Sequence, residues 1–109
     1  MQAALIRNEV ILNNIANADT PGFKRKDVVF DKILGDVLNE GKRTGKLDLS
    51  RAVPRAVIVD DGYKYRIDGN NVDMETEMVT FYENSMKYET MVNGVINNYK
   101  RINLALSIK

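Results

Sequence analysis

The sequence predicts a mainly α protein in which an N-terminal and a C-terminal helix pack as a coiled coil, with a small irregular, β-containing module between them. Two segments carry this prediction, because apolar residues recur at helical spacing in residues 2–17 and again in residues 78–106. Short apolar runs separated by glycines fill the middle. A chain of 109 residues with 44% hydrophobic content fits one small folding unit.

The first helix is expected to run from residue 2 to about residue 17. Its apolar side chains follow a helical rather than a strand period: Ala4, Leu5, Ile11, Leu12, Ile15 and Ala18. Pro21 disfavours the α conformation at Thr20, and Pro21-Gly22 suits the central positions of a type II turn. The helix should therefore end by Asp19.

The sequence predicts little regular structure in the middle of the chain. Four apolar residues within positions 33–38 predict one or two helical turns. Residues 56–59 and 63–67 predict short strands, joined by a hairpin turn at residues 60–62. Residues 39–46 (NEGKRTGK) are polar, contain glycine and lack any period, so we expect a mobile loop there.

The strongest pattern lies in the C-terminal third. Residues spaced alternately by three and four continue for about four heptads: Met78, Phe81, Ser85, Tyr88, Val92, Val95, Tyr99, Ile102 and Leu106. Asp73 is a suitable N-cap for a helix that begins near Met74, and Glu75 and Glu77 place negative charge at the positive end of the helix dipole. We expect one long helix from there to the C-terminal end.

The length of this helix leads to a functional hypothesis. Residues 74–109 would extend roughly 50 Å at 1.5 Å per residue, and the first helix would cover only about half of that. Since a coiled coil needs a facing helix, the uncovered seam should be either disordered in the monomer or paired with other subunits. The predicted subunit interface comprises Met78, Phe81, Tyr88, Val92, Val95, Tyr99, Ile102 and Leu106.

The reactive side chains argue against an enzyme. The chain has no His, Cys or Trp, which excludes imidazole catalysis, thiolate nucleophiles, Cys/His metal sites and disulfides. A formal charge of +1 gives no global field for nucleic acid or an anionic membrane. No apolar run approaches the roughly 20 residues of a membrane span, and the start is too short for a cleaved leader. We therefore expect no catalytic, cofactor or metal site, no nucleic-acid partner and no membrane span.

Four other groups of residues have simple structural interpretations. The carboxylates between residues 60 and 77 lack the spacing of an EF-hand loop, so we assign them turn and cap roles. The Met and aromatic residues of the last helix belong to the core or a subunit interface. The basic triplet at residues 24–26 has too few charges to establish a nucleic-acid site. Helical asparagines either bond across helices or lie at the surface: Asn13, Asn14, Asn17, Asn93, Asn97, Asn98 and Asn103.

Three segments together resemble a known family. Residues 13–25 (NNIANADTPGFKR) resemble the N-terminal signature of flagellar axial proteins, which include rod, hook and hook-associated subunits. Residues 26–30 (KDVVF) and 68–78 (DGNNVDMETEM) resemble the proximal rod proteins of the FlgB type more than the neighbouring FlgC type. Phe23 stands where tyrosine is common, and residues 33–67 match only in length and style.

This resemblance implies a structural role. Rod subunits of the family pass unfolded through the flagellar type III export apparatus and become ordered as they assemble in the periplasm. The implied partners are further copies of the chain, neighbouring rod proteins, and MS-ring and export-gate proteins, and the implied task is torque transmission. The assembly motif carried over from the signature comprises Asn13, Asn14, Asn17, Thr20, Pro21, Gly22 and Phe23.

The chain is accordingly divided into a first helix with its turn motif (1–22), a middle module (23–71) and a heptad helix (72–109). If the turn fixes the exit of the first helix, residues 23–30 should lie against an adjacent subunit. The alternative is a self-associating coiled-coil adaptor, which would explain the heptads but would not need the Thr-Pro-Gly turn.

Overall fold

The computed structural model describes residues 1–60 and 67–108, and the molecule measures 68 × 35 × 15 Å. Within these residues the elements, in chain order, are α1 (Gln2–Ala16), β1 (Lys26–Val29), α2 (Asp31–Thr44), a 3-10 turn (Leu49–Arg51), β2 (Arg55–Ile58) and α3 (Met74–Ser107). None of the helices in the described part of the chain combines the length and the apolar character needed to cross a membrane.

Helices α1 and α3 pack against each other in antiparallel fashion. Asn14, near the end of α1, contacts Glu77 at the start of α3, whereas the Ala4 carbonyl accepts a hydrogen bond from Asn84 further along α3. Ala4 and Ile11 are buried on the α1 side of this interface. The predicted fold class is therefore confirmed: terminal helices pack together beside a small β-containing module.

Helix α3 extends well beyond α1. The two helices contain 34 and 15 residues, which at 1.5 Å per residue corresponds to about 51 and 22 Å. Every residue from Asn93 to Ile108 is exposed. The C-terminal half of α3 therefore has no packing partner among the described residues.

The start of α3 is fixed by a side-chain cap, as the sequence predicted. The Asp73 carboxylate accepts hydrogen bonds from the Glu75 backbone N–H at 3.2 Å and from the Thr76 hydroxyl at 2.9 Å. These bonds satisfy a donor that has no partner within the helix. The helix consequently begins at Met74.

The middle module contains a two-stranded antiparallel sheet. Lys26 pairs with Ile58 and Val29 with Arg55, so β1 and β2 align along their full lengths. Strand β2 lies one residue before the predicted strand at 56–59, whereas β1 was not predicted. The second predicted strand at 63–67 and the turn at 60–62 lie mostly outside the described residues.

The prediction of a mobile loop at residues 39–46 was wrong, because α2 continues to Thr44. The polar residues form the solvent face of an amphipathic helix whose apolar face includes the buried Val37. Gly45 ends the helix in the left-handed conformation (φ +70°) and donates its N–H to the Gly41 carbonyl at 2.9 Å. Leu47 then folds back over Gly41. Helix α2, with 14 residues, is also longer than the one or two turns that the sequence predicted.

Candidate functional site

The two most distinctive segments of the sequence meet at one place in the structure. The end of α1 and the following turn pack against residues 68–77, more than 40 residues later in the chain. Polar side chains hold them together, and we call this cluster the polar junction: Asn14, Arg25, Asn70, Asn71 and Glu77. Four of the five are almost completely buried. The interior at this junction is thus polar rather than hydrophobic.

Asn14 connects three elements of the fold. Its Nδ2 donates to the Lys26 carbonyl at 2.7 Å and its Oδ1 accepts from the Lys26 N–H at 2.9 Å. The second Nδ2 hydrogen is directed to Glu77 Oε2 at 3.3 Å. The side chain is fully buried, and its amide therefore joins α1 to β1 and to α3.

Glu77 and Arg25 form an ion pair beside Asn14. Arg25 Nε donates to Glu77 Oε1 at 2.8 Å, and the side chains are 23% and 2% exposed, respectively. Removing one member of such a pair leaves an uncompensated buried charge, which is strongly destabilising. Glu77 was predicted only as a favourable charge in the first turn of α3, so its role in joining α3 to the segment after the turn is new.

Asn70 caps the end of α1. Its Nδ2 lies within 3.0 Å of three carbonyl oxygens, those of Asn17, Ala18 and Thr20. Its Oδ1 accepts from the Val72 N–H at 2.8 Å. Carbonyls at and beyond the C-terminal end of a helix lack intrahelical donors, and this buried amide supplies one.

Asn71 connects residues 68–77 by hydrogen bonds to the backbone that flanks the sheet. Its Oδ1 accepts from the Arg25 N–H at 2.7 Å, and its Nδ2 donates to the Val59 carbonyl at 2.8 Å. Lys24 adds a bond from Nζ to the Gly69 carbonyl at 2.9 Å. Across the described residues, no buried side-chain polar atom is left without a hydrogen-bond partner. The junction is therefore a satisfied network, which favours a single rigid arrangement.

The predicted type II turn is confirmed. Gly22 has φ +70°, and the Phe23 N–H donates to the Thr20 carbonyl at 3.3 Å across the turn. The Gly22 N–H itself donates to the Asp68 carbonyl at 2.9 Å. A Cβ at position 22 would lie 3.9 Å from that oxygen, so backbone conformation rather than crowding requires glycine.

The residues of the predicted assembly motif occupy different environments. Asn14 lies in the polar junction, whereas the Asn17 side chain bonds locally to the Asn13 carbonyl and the Thr20 hydroxyl. Asn13, Thr20, Pro21 and Gly22 are exposed, and Phe23 is half-buried. Residues 26–29 form β1 and pack within their own chain, with Val28 only 5% exposed.

The residues of the predicted interface also divide into two groups. Phe81, Tyr88 and Val92 are half-buried on the α1 side of α3. Met78 is 38% exposed, because buried Glu77 takes the expected position facing α1. The remaining four are 57–78% exposed and lie beyond α1: Val95, Tyr99, Ile102 and Leu106.

Sequence reasoning missed a second polar contact between the helices. Asn84 Nδ2 donates to the Ala4 carbonyl at 2.7 Å and to Asn8 Oδ1 at 2.6 Å. Asn84 follows Glu77 by seven residues and lies on the same face of α3 as Phe81 and Tyr88. This heptad spacing was the available signal, but a search for apolar residues does not detect it. The other helical asparagines considered, at positions 93, 97, 98 and 103, are exposed.

Comparison with known proteins connects this geometry to a family. A family model described as flagella basal body rod protein matches residues 1–24. The flagellar basal body rod protein FlgB of Yersinia enterocolitica is 37% identical over 97 residues, which cover 77% of this chain and 71% of that protein. FlgB of Bacillus subtilis (strain 168) is 36% identical over 110 residues, covering 94% of this chain and 85% of the relative. The chain therefore belongs to the FlgB family of flagellar basal body rod proteins.

Proposed function

We propose that this chain is a structural subunit of the flagellar basal-body rod, in its proximal part, and that it assembles through its terminal helices. The observation that carries the proposal is the exposed C-terminal half of α3, which presents Val95, Tyr99 and Ile102 at heptad spacing, with no packing partner among the residues that the structure describes. A helix gains most of its stability from packing of its apolar face, so helices of neighbouring subunits are the natural occupants.

The polar junction supports this role by holding the two terminal helices in one arrangement. Asn14, Asn70 and the Arg25–Glu77 pair fix the end of α1 relative to the start of α3. Two helices held at one end by a rigid, fully bonded cluster transmit force to each other without relying on a large apolar core. The assembly motif at residues 13–23 thus acts by positioning the helices within the subunit, and the seam on α3 makes the contacts between subunits.

Membership of the family supports a wider role for the chain within the rod. The rod connects the MS ring and the export gate to the next rod proteins, and the chain transmits torque through distributed helix contacts. Further copies, neighbouring rod proteins, and MS-ring and export-gate proteins are the partners. The chain has no enzymatic role, and its relatives are named for the rod rather than for a reaction. In this role the chain divides into a helix-and-turn segment (1–22), a middle segment (23–71) and a seam segment (72–109).

Deletion and complementation test the proposal. The gene is deleted in its host, and purified basal bodies are examined by electron microscopy together with a swimming assay. We expect an MS ring without rod or hook, and restoration of both by the wild-type gene. Normal rods and swimming in the deletion strain would overturn the proposal.

A matched pair of variants then tests the seam. Val95→Asp with Ile102→Asp places two charges on the exposed seam of α3 and should not restore the rod. The control, Asn93→Asp with Asn97→Asp, places the same charges on another exposed face of α3 and should restore it. Equal restoration by the two variants would exclude this seam as the assembly surface.

A further inference from the structure

Asn93 and Gly94 form the one Asn-Gly pair among the twelve asparagines of the chain. Both residues lie in α3 just beyond its contact with α1, and both are exposed. With 3.6 residues per turn, they lie about 145° and 115° around the helix from the column that faces α1, which comprises Glu77, Phe81, Asn84 and Tyr88. A helix packed on that column therefore leaves both residues open to solvent.

The side chain and backbone of an Asn-Gly pair can react with each other. The Gly94 backbone nitrogen attacks the side-chain carbonyl carbon of Asn93, a C–N bond forms, and the side-chain nitrogen leaves as ammonia, taking the Gly94 proton. Glycine suits this attack because no Cβ shields its nitrogen. Water then opens the resulting succinimide ring at either carbonyl and yields aspartate or isoaspartate. The net reaction exchanges ammonia for water and needs no oxidant, reductant or cofactor.

The conformation of α3 controls access to this reaction. In an α-helix the N–H of residue 94 donates to the carbonyl four residues earlier, so attack on Asn93 requires the helix to open locally. Glycine has the weakest helix preference after proline, and the asparagines at positions 97, 98 and 103 are also poor helix formers. Every residue from Asn93 to Ile108 is exposed, with no packing among the described residues that opposes opening.

The other asparagines lack this combination of features. Four of them are buried and hold their amides in hydrogen bonds: Asn14, Asn70, Asn71 and Asn84. None of the asparagines other than Asn93 precedes a glycine. We propose that Asn93 is the site at which this chain spontaneously deamidates, and that the isoaspartate formed there breaks α3 between its packed half and its exposed half.

The two products differ in their effect on α3. Aspartate adds a charge at an exposed position and leaves the backbone unchanged. Isoaspartate routes the chain through the side-chain carbon and adds one atom to the backbone, so the hydrogen bonds beyond it no longer align with those before it. Residues 95–108 then lose the support of the packed half and unfold. The consequence for rod assembly rests on the proposed function, whereas the reaction itself does not.

Ageing of the purified full chain in mildly alkaline buffer tests the site. Peptide mapping by mass spectrometry, with fragmentation that distinguishes aspartate from isoaspartate, follows each asparagine over time. We expect deamidation at Asn93 to be several-fold faster than at any other asparagine, with isoaspartate among the products. Faster deamidation elsewhere, or an unchanged Asn93, would overturn the proposal.

A matched pair of variants at Asn97 tests the control by the helix while Asn93 and Gly94 stay unchanged. Residue 97 is exposed and must also unwind when α3 opens from its C-terminal end. Asn97→Ala strengthens the helix and Asn97→Gly weakens it, so the rate at Asn93 should be about fivefold higher in the glycine variant. Equal rates in the two variants would show that opening of α3 does not limit the reaction.

Circular dichroism of the aged chain tests the break in α3. Helicity should fall in proportion to the isoaspartate content, whereas freshly purified Asn93→Asp, which carries the charge alone, should keep its helicity. An aged chain that contains isoaspartate at position 93 and retains the full helical signal would contradict the break. None of these measurements involves the rod, so their failure would leave the proposed function standing.

Discussion

The side-chain amide of Asn14 both donates to and accepts from the backbone of Lys26, so the last turn of α1 bonds to the outer edge of β1 as a neighbouring strand would. Val28, two residues later, donates its N–H to the Asp27 carboxylate and accepts from Arg7 of α1 at its carbonyl. An edge whose peptide groups are occupied does not recruit another strand. This edge is instead committed to α1, which fixes the path of the chain after the turn.

Replacing Asn14 by alanine should destabilise the protein strongly. The change removes the hydrogen-bond partner of both backbone groups of Lys26 and empties a fully buried side-chain position, and we expect a loss of about 2–4 kcal/mol in the free energy of unfolding. Urea denaturation followed by circular dichroism measures it. The control is Asn13→Ala, at an exposed side chain one position earlier, which should change the free energy by no more than about 0.5 kcal/mol. Similar losses in the two variants would show that Asn14 does not connect α1 to β1.

Removing the charge of Glu77 should also be costly, because it leaves the Arg25 guanidinium without its partner. We expect Glu77→Ala to lower the free energy of unfolding by about 3–5 kcal/mol. The double variant Arg25→Met with Glu77→Leu removes both charges and should be more stable than Glu77→Ala. The control is Glu40→Ala, which breaks the exposed pair with Arg51 at a cost below about 1 kcal/mol. A double variant less stable than Glu77→Ala would contradict the interpretation.

Two local features of the fold were predictable from the sequence, whereas the polar junction was not. The turn at Pro21-Gly22 and the cap at Asp73 were predictable because each depends on local backbone chemistry. The junction was not, because Asn14 and Glu77 are 63 residues apart and nothing local to either one specifies the other. A hydrophobic pattern also placed Met78, rather than Glu77, on the face toward α1.

The prediction of the middle module was incomplete for a related reason. Composition alone classified residues 39–46 as a loop, but the left-handed Gly45 and the contact between Leu47 and Gly41 end a helix there. Strand β1 escaped prediction because its backbone partners come from α1 and from β2, both distant in sequence. Helix boundaries set by local signals could be derived from the sequence, whereas contacts between distant segments required the structure.

Gly22→Ala should test whether the turn needs glycine for stability. The positive φ of Gly22 disfavours a residue with a Cβ, and we expect a loss of about 1–2 kcal/mol. The control is Gly35→Ala within α2, where nothing apart from the adjacent helix backbone lies within 4 Å of the added Cβ; it should stabilise the chain by about 0.5–1 kcal/mol. Both free energies come from urea denaturation.

The same turn can be tested in the cell by replacing Pro21 and Gly22 together. This double variant should still be exported but should fail to build a rod, because α1 and the junction no longer meet correctly. Secretion is measured in culture supernatants, and rods are counted by electron microscopy of basal bodies. Export of the variant together with normal rod formation would refute the role of the turn.

Gly94 lies at the point where α1 stops covering α3, and its substitution should reveal how the exposed half of the helix behaves in the monomer. Apart from the adjacent backbone of α3 itself, nothing lies within 4 Å of the position that its Cβ would take, so Gly94→Ala changes helix propensity without changing packing. The gain is about 0.8–1 kcal/mol, and it should act on residues 95–108, because that segment depends on propensity rather than on tertiary contacts. Hydrogen exchange measured by mass spectrometry should show slower exchange in that segment and unchanged exchange in residues 77–88. If residues 95–108 of the wild-type monomer were already as protected as residues 77–88, this segment of α3 would not need a partner to become ordered, and assembly would not be the step that folds it.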